Sequence, residues 1–352
     1  MKEDSISGSS IDIPAIAGDI ARTRDTVGWA YSDLKWLSGK DAVHAERRRD
    51  ELLRSLRAGV SSSCAGNKVH IGELSPACRL CGQGYWSCVY MSALCTANCF
   101  HCPQDRRTAQ ELLPGLSGGR LVFNKASEYA DFLAKFKYKV AAFSGGEPLL
   151  AFEQVLEYIY EIRSRLGRGF YLWLTTNGDL ADSDKLRALK KAGLDEIKFN
   201  ISARNYDLSR AASAVGTIGT VTVEIPAVPE DLPRLKKLLP EMERIGVKHF
   251  NLHQLIATEH NYAGYARRGY TLLHYPVISV LESEIMALTL MKYAVDRGTG
   301  LRINYCSSTY KHRTQSRGFR TRLSVPVMES FEELTGAGYI RRLSGQGTPA
   351  EI

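Results

Sequence analysis

Residues 140–167 read VAAFSGGEPLLAFEQVLEYIYEIRSRLG, and the fold turns on this stretch. A short apolar run breaks at Gly145 and Gly146, then gives way to apolar positions at helical spacing that stop at Gly167. That order is strand, turn, helix. The same rhythm recurs on both sides, with strand candidates at Trp86 to Met91, Val140 to Phe143, Tyr171 to Leu174, Glu196 to Ile201, Val221 to Ile225 and His249 to Leu255. The helix candidates between them, DSDKLRALKKAG and PEDLPRLKKLLPEMERIG among others, also end on glycine. Parallel neighbours need a connection of helix length, so six such units predict an α/β fold with a parallel sheet. Six units suit a partial (βα)6 TIM-like barrel better than a closed eight-unit one. The chemistry is then expected just after each strand, at its C-terminal end.

Flanking segments fill out the organisation. Residues 1–63 read as an N-terminal helical extension, with charged and apolar positions mixed at helical spacing in DAVHAERRRDELLRSLRAG and a stop at Gly59. Residues 64–88 form a cysteine-rich segment, 86–256 the barrel core, and 257–352 a C-terminal extension expected to face the substrate. That extension holds a helix over about 277–296 and a seventh strand candidate, Leu301 to Tyr305.

Composition narrows the classes. An apolar fraction of 44% over 352 residues can bury a real core. The start, MKEDSISGSS, lacks a signal-peptide pattern, and the apolar stretch VISVLESEIMALTLMKYAV is interrupted by Glu282 and Glu284, so no membrane span is expected. Eight cysteines without an export signal read as metal ligands or reactive thiols in the reducing cytoplasm. The net charge of +8 is uneven: residues 297–322 carry seven Lys or Arg and no acid. This segment is either a solvated basic loop or a site for an anionic substrate or RNA. No nucleic-acid module of recognisable pattern is present.

Three cysteines crowd into CTANCFHC at 95–102, directly after the first strand. A 4Fe-4S cluster takes one thiolate per iron, so Cys95, Cys99 and Cys102 could bind three irons and leave the fourth open for a small ligand. A zinc knuckle completed by His101 or another cysteine is the competing use of such a loop. The next strand ends add polar groups at the same rim. They are FSGGEPLL with Gly145, Gly146 and Glu147, TTNG with Thr175, Thr176 and Asn177, FNISA with Ser202, and EIPAVPED. Each alone is a common turn; their order at successive strand ends is not.

On these residues the chain resembles the radical S-adenosylmethionine (SAM) enzymes, matching their CxxxCxxC loop as CTANCFHC and their glycine-glycine-glutamate motif as Gly145, Gly146 and Glu147. The core is similar to pyruvate formate-lyase activating enzyme-like proteins. The resemblance implies a partial barrel and a cluster on Cys95, Cys99 and Cys102 whose open iron chelates SAM. Reductive cleavage then gives a 5′-deoxyadenosyl radical that removes hydrogen from a substrate. It further implies that Gly145, Gly146 and Glu147 meet the cofactor's amino group and that His101 lies against the adenine. Asn177 and Ser202 become candidates for its carboxylate or ribose, and a one-electron reductant such as flavodoxin or ferredoxin becomes a partner. A protein modifier of the activase kind, an RNA modifier and a methyltransferase all remain open within the superfamily.

Cys64, Cys78, Cys81 and Cys88 make a second group, with CxxC at its centre, expected to hold an auxiliary iron-sulfur cluster or structural zinc or iron. Cys88 lies early in strand one, which places this centre nearer the bottom of the barrel than the radical site. Cys306 follows the seventh strand candidate and is a candidate hydrogen-atom donor or extra ligand, with Tyr305 and Tyr310 as alternatives; an inert core cysteine is the plainer reading. His253 and Gln254 read as core hydrogen-bonders of strand six. A reading from a different class, a zinc-bearing protein whose basic segment grips nucleic acid, predicts colourless protein and salt-sensitive binding.

Overall fold

The computed structural model describes residues 18, 20–25, 28–56, 59–64, 66–104, 114–116, 121–274 and 277–343. The start of the expected N-terminal extension, residues 1–17, lies outside them.

Seven parallel strands build the core: β1 (Trp86–Ser92), β2 (Val140–Gly145), β3 (Tyr171–Thr176), β4 (Glu196–Phe199), β5 (Thr220–Pro226), β6 (His249–His253) and β7 (Arg302–Cys306). They pair in that order, and β1 does not pair with β7, so the barrel stays open. The gap is flanked by antiparallel strands: Lys68–Ile71 and Ser61–Ser63 continue beyond β7, and Gly115–Leu116 pairs with β1. All six strands expected from the sequence are present, and the seventh joins β6 in parallel.

Helices connect successive strands and flank them, and local sequence sets their ends. In chain order they include α1 (Gly39–Leu56), α2 (Pro76–Gly82), α3 (Ala126–Lys135), α4 (Phe152–Leu166), α5 (Ser183–Ala192), α6 (Ser209–Ala214), α7 (Leu232–Arg244), α8 (Tyr262–Arg267), α9 (Leu281–Asp296) and α10 (Arg317–Ser324). At the start of α5 the Asp182 carboxylate accepts the Lys185 N–H, and at its end Gly193 takes φ +109°, the left-handed conformation that closes a helix. α1 lies along α9, buries Leu52 and Leu56, and is tied there by Arg49 to Glu284 at 3.0 Å. Among the described residues no helix is long and apolar enough to cross a membrane.

Three departures from the sequence reading matter for the site. The cysteine-rich segment contains strand Lys68–Ile71, which pairs antiparallel with β7; at four residues it is too short to show a period in the sequence. The basic segment is structured: after β7 come a helical turn Ser308–Tyr310, a π-helical turn Lys311–Ser316 and α10. Short α2 carries Cys78 and Cys81 inward across β1, β2 and β3, capped by Ser75.

Candidate functional site

A cavity of roughly 290 Å³ opens at the C-terminal ends of the strands. All three loop cysteines line it, with His101 and Gln104 from the same loop, Gly145 and Gly146 from β2, and Asn177 after β3. Across from them stand Asn200, Glu224, His253, Gln254 and Lys311.

Backbone pairing positions the cysteine loop. The Gly146 N–H donates to Ser92 O and the Glu147 N–H to Leu94 O, both at 2.7 Å. This close approach demands glycine. A Cβ on Gly145 would stand 2.3 Å from Ser92 O and one on Gly146 2.0 Å from Leu94 O, and Gly145 sits at φ +125°. The far side of the loop is pinned by Asn261 Nδ2 to His101 O at 3.1 Å and Thr258 Oγ1 to Pro103 O at 3.2 Å. Phe100 packs under the Arg268 guanidinium, 3.5 Å from ring centroid to Cζ, and meets Tyr265 edge-on.

The expected cofactor residues divide. Gly145 and Gly146 face the cavity, and the Gly145 carbonyl accepts from Gln104 Nε2 at 2.7 Å. Glu147 is fully buried; its carboxylate accepts from Thr176 Oγ1 (2.7 Å), Leu149 N (3.0 Å) and Asn177 N (2.8 Å). It therefore clamps the end of β3 to the end of β2. Burial pushes this carboxyl above its ordinary value despite those three donors. Asn177 lies in the cavity, donating to Thr96 Oγ1 at 2.8 Å and reaching Cys95 Sγ at 3.8 Å. Ser202 instead donates to Asn200 Oδ1 at 2.6 Å, and Asn200 is the side chain of this strand end that lines the cavity.

Below the cavity the barrel interior is polar. Glu224, Asn251 and Asn304 stand in register across β5, β6 and β7. Lys198 Nζ pairs with Glu224 Oε2 at 3.0 Å, and Asn251 Nδ2 donates to the same oxygen at 2.8 Å. Burial opposes the Glu224 charge, but Lys198 and His253 outweigh it and hold the carboxyl well below its ordinary value. His253 Nε2 lies 3.4 Å from Glu224 Oε2. Gln254 bonds Ser308 N and Val280 O, as expected of a core hydrogen-bonder.

Sequence reasoning did not single out Glu224, Lys198, Lys68 or Lys311. The available signal was a charge at alternate positions of an otherwise apolar strand, as in Glu196 and Lys198 of EIKF. Such charges face inward because the outer face is covered by helices.

The second cysteine group is only partly together. Cys78 and Cys81 are buried on α2, and Cys64 packs beside Cys81, Cys306 and Tyr310. Cys88 points among Ala77, Val140, Ala142 and Trp173, and burial pushes its thiol up. Tyr310 is buried with its hydroxyl 3.3 Å from Cys81 Sγ. Among the described residues no three His, Cys, Asp or Glu side chains converge on a point that one metal ion could occupy.

Residues 89–218 match the Radical SAM superfamily. A Methanocaldococcus jannaschii protein provisionally named as a glycyl-radical enzyme activating enzyme is 26% identical over 77% of this chain and 73% of its own length. A Pyrococcus furiosus protein named as a tungsten-containing aldehyde ferredoxin oxidoreductase cofactor-modifying protein is 27% identical over 43% of this chain and 39% of its own. Among solved structures, Streptococcus suis SuiB bound to the precursor peptide SuiA superposes with a TM-score of 0.46 at 12% identity. That alignment spans 70% of this chain and about half (52%) of SuiB.

Proposed function

The chain is a member of the radical SAM superfamily through residues 89–218, and from that premise we propose that it cleaves SAM reductively at a 4Fe-4S cluster held by Cys95, Cys99 and Cys102 and removes hydrogen from a substrate entering the same cavity. One observation carries this reading: three thiols from one loop and the ends of successive strands line a single cavity. The donor set fits the group: three thiols of one loop face a single cavity, and a cluster takes one cysteine per iron, leaving the fourth iron open. When bound, cluster and SAM together supply one-electron carbon-sulfur cleavage and a 5′-deoxyadenosyl radical.

The chain's own residues would do the positioning. The carbonyls of Gly145 and Gly146, the first already accepting from Gln104 Nε2, and the Asn177 amide would offer hydrogen-bond partners for the methionyl end of SAM, and Glu147 holds both strand ends in place. His101 and Asn200, which also line the cavity, would flank the nucleoside of SAM. His253 and Lys311 form the opposite wall, where a substrate carboxylate or phosphate would meet Lys311. The electron would come from a flavodoxin- or ferredoxin-like donor in the cytoplasm. The M. jannaschii relative's name suggests a protein substrate.

The test is an anaerobic, chemically reduced incubation with SAM. Formation of 5′-deoxyadenosine that depends on Cys99 is expected; S-adenosylhomocysteine in its place would redirect the assignment to methyl transfer, and neither product would overturn it.

A further inference from the structure

Three thiols buried inside the barrel are surrounded by hydrogen-bond donors in a way that inert core cysteines are not. Cys78 Sγ receives Asn251 Nδ2 at 3.4 Å, Asn304 Nδ2 at 3.8 Å and Lys198 Nζ at 3.9 Å. Cys81 Sγ receives Gln315 Nε2 at 2.8 Å and the Tyr310 hydroxyl at 3.3 Å. Cys306 Sγ receives Asn304 Nδ2 at 3.3 Å and Lys68 Nζ at 3.5 Å. A structural cysteine behaves as a small hydrophobe with little need of donors. Donors arrayed around several sulfurs are the setting of ligating thiolates, whose charge they stabilise.

Lys68 supplies a second observation. Its side chain is 1% exposed, and among the described residues it makes no ion pair with a carboxylate. Its ammonium rests 3.9 Å above the Tyr310 ring and against Cys306. An ammonium buried without an anion is costly, so this position calls for negative charge on the surrounding sulfurs.

Cys64 completes the set from the solvent side. It holds a left-handed backbone, φ +54°, and its Sγ lies 3.6 Å from Gly82 O, beside the end of α2. A Cβ on Gly82 would stand 3.2 Å from that sulfur, so glycine leaves it room. Cys88, in contrast, packs with apolar partners on another side of α2.

We propose that Cys64, Cys78, Cys81 and Cys306 hold a second iron-sulfur cluster inside the barrel, with Lys68 as its buried counter-charge. The ligand set differs from the contiguous one, Cys306 replacing Cys88. A single zinc ion needs its four sulfurs around one point, whereas a cluster binds each cysteine to a separate iron, so the bound metal content separates the two. The centre lies directly beneath the SAM cavity: Cys306 pairs in register with His253, which lines that cavity, as does Lys311. On its other side Cys64 opens into a cavity of about 900 Å³ rimmed by Lys135, Lys137, Arg313, Arg317 and Arg322.

The test uses the full chain with Cys95, Cys99 and Cys102 all replaced by alanine, reconstituted anaerobically with iron and sulfide. About four irons and four sulfides per chain should remain, with an electron paramagnetic resonance signal on reduction. In that background Cys306→Ala should lose the cluster or retain about three irons, and Cys88→Ala should keep it whole. Should Cys306→Ala fail to fold, Cys306→Ser keeps the volume and is expected to shift the resonance spectrum; an unchanged spectrum would overturn the ligand assignment. The proposal also fails if the triple variant is iron-free, if Cys88→Ala loses the metal while Cys306→Ala keeps it, or if one zinc replaces the iron. Because the triple variant has no radical loop, these outcomes are independent of whether the wild-type protein forms 5′-deoxyadenosine.

Discussion

Cys95, Cys99 and Cys102 stand half-buried on a loop at the mouth of the barrel, while Cys78, Cys81 and Cys306 are buried within it and drawn from segments more than two hundred residues apart. The loop is held at its backbone carbonyls, Ser92 O and Leu94 O by the Gly146 and Glu147 N–H groups and His101 O by the Asn261 amide, with sulfurs turned to a cavity. The interior group is held by side chains, each sulfur facing amides, ammonium or phenol groups. One setting leaves room for an exchangeable ligand. The other encloses whatever it binds. On the functions proposed for the two groups, the difference would separate a site that reacts from a site that stores charge or structure.

The largest effect expected from breaking this contrast is at the loop. Cys99→Ala should reduce 5′-deoxyadenosine formation by about three orders of magnitude or more, since chemistry cannot begin without the cluster. Its melting temperature should stay near that of the wild type, because Cys99 is only half-buried. A large fall in melting temperature measured by calorimetry would show that the loop cysteines are structural and erase the distinction.

Gly146→Ala attacks the same loop through its backbone anchor. The added methyl would meet Leu94 O at 2.0 Å, so strand β2 and the loop cannot keep their register. We expect about 1–3 kcal/mol of destabilisation, as for other overpacked sites, with a tenfold or greater loss of SAM affinity. Gly169→Ala, where nothing lies within 4 Å, is the matched control and should change neither. Equal behaviour of the two variants would mean that the close approach does not order the site.

Much of this architecture was legible beforehand, and the pattern of what was not is physical. The six barrel strands and the helix stops at Gly167, Gly193 and Gly246 follow from short-range periodicity and left-handed caps. The cysteine loop was readable because its three thiols fall within eight residues. The inward charges Lys198 and Glu224 escaped because a charge within an apolar strand signals burial only once the barrel wraps around it. The association of Cys306 with Cys81 escaped for a related reason: it exists only because strand Lys68–Ile71 and β7 close over α2. Glu147 was visible as a motif residue, but its carboxylate is consumed by neighbours that no spacing rule reveals.

Glu147→Gln tests that last point. The carboxylate accepts three hydrogen bonds on two oxygens, and an amide would turn a donor toward one of them. A loss of about 1–3 kcal/mol is expected, the cost of leaving one buried donor unsatisfied, together with a roughly tenfold rise in the SAM dissociation constant by calorimetry. Loss of affinity without loss of stability would instead assign Glu147 to the cofactor itself.

The smallest predicted effect reads the interior field along one strand. β6 carries a histidine at each end, and the two respond oppositely. Burial and Lys311 push His253 down, but Glu224 and Cys306 outweigh them and its pKa is raised. At the bottom, His249 is lowered to about 4 by burial, with Arg302, Lys198 and Lys248 adding to the shift. For His249 the sign is fixed: the unfolded chain takes up its proton near pH 6.5 and the folded one only near 4, so its contribution is fully present above 6.5 and is lost as pH falls between those values. From pH 7 to 5.5 this should cost about 1 kcal/mol of stability. His249→Gln should flatten that part of a denaturant-titration series, while leaving 5′-deoxyadenosine formation unchanged. An unchanged slope would mean that the His249 ring is hydrated in the folded protein rather than buried beside these cations, and the opposed shifts along β6 would lose their basis.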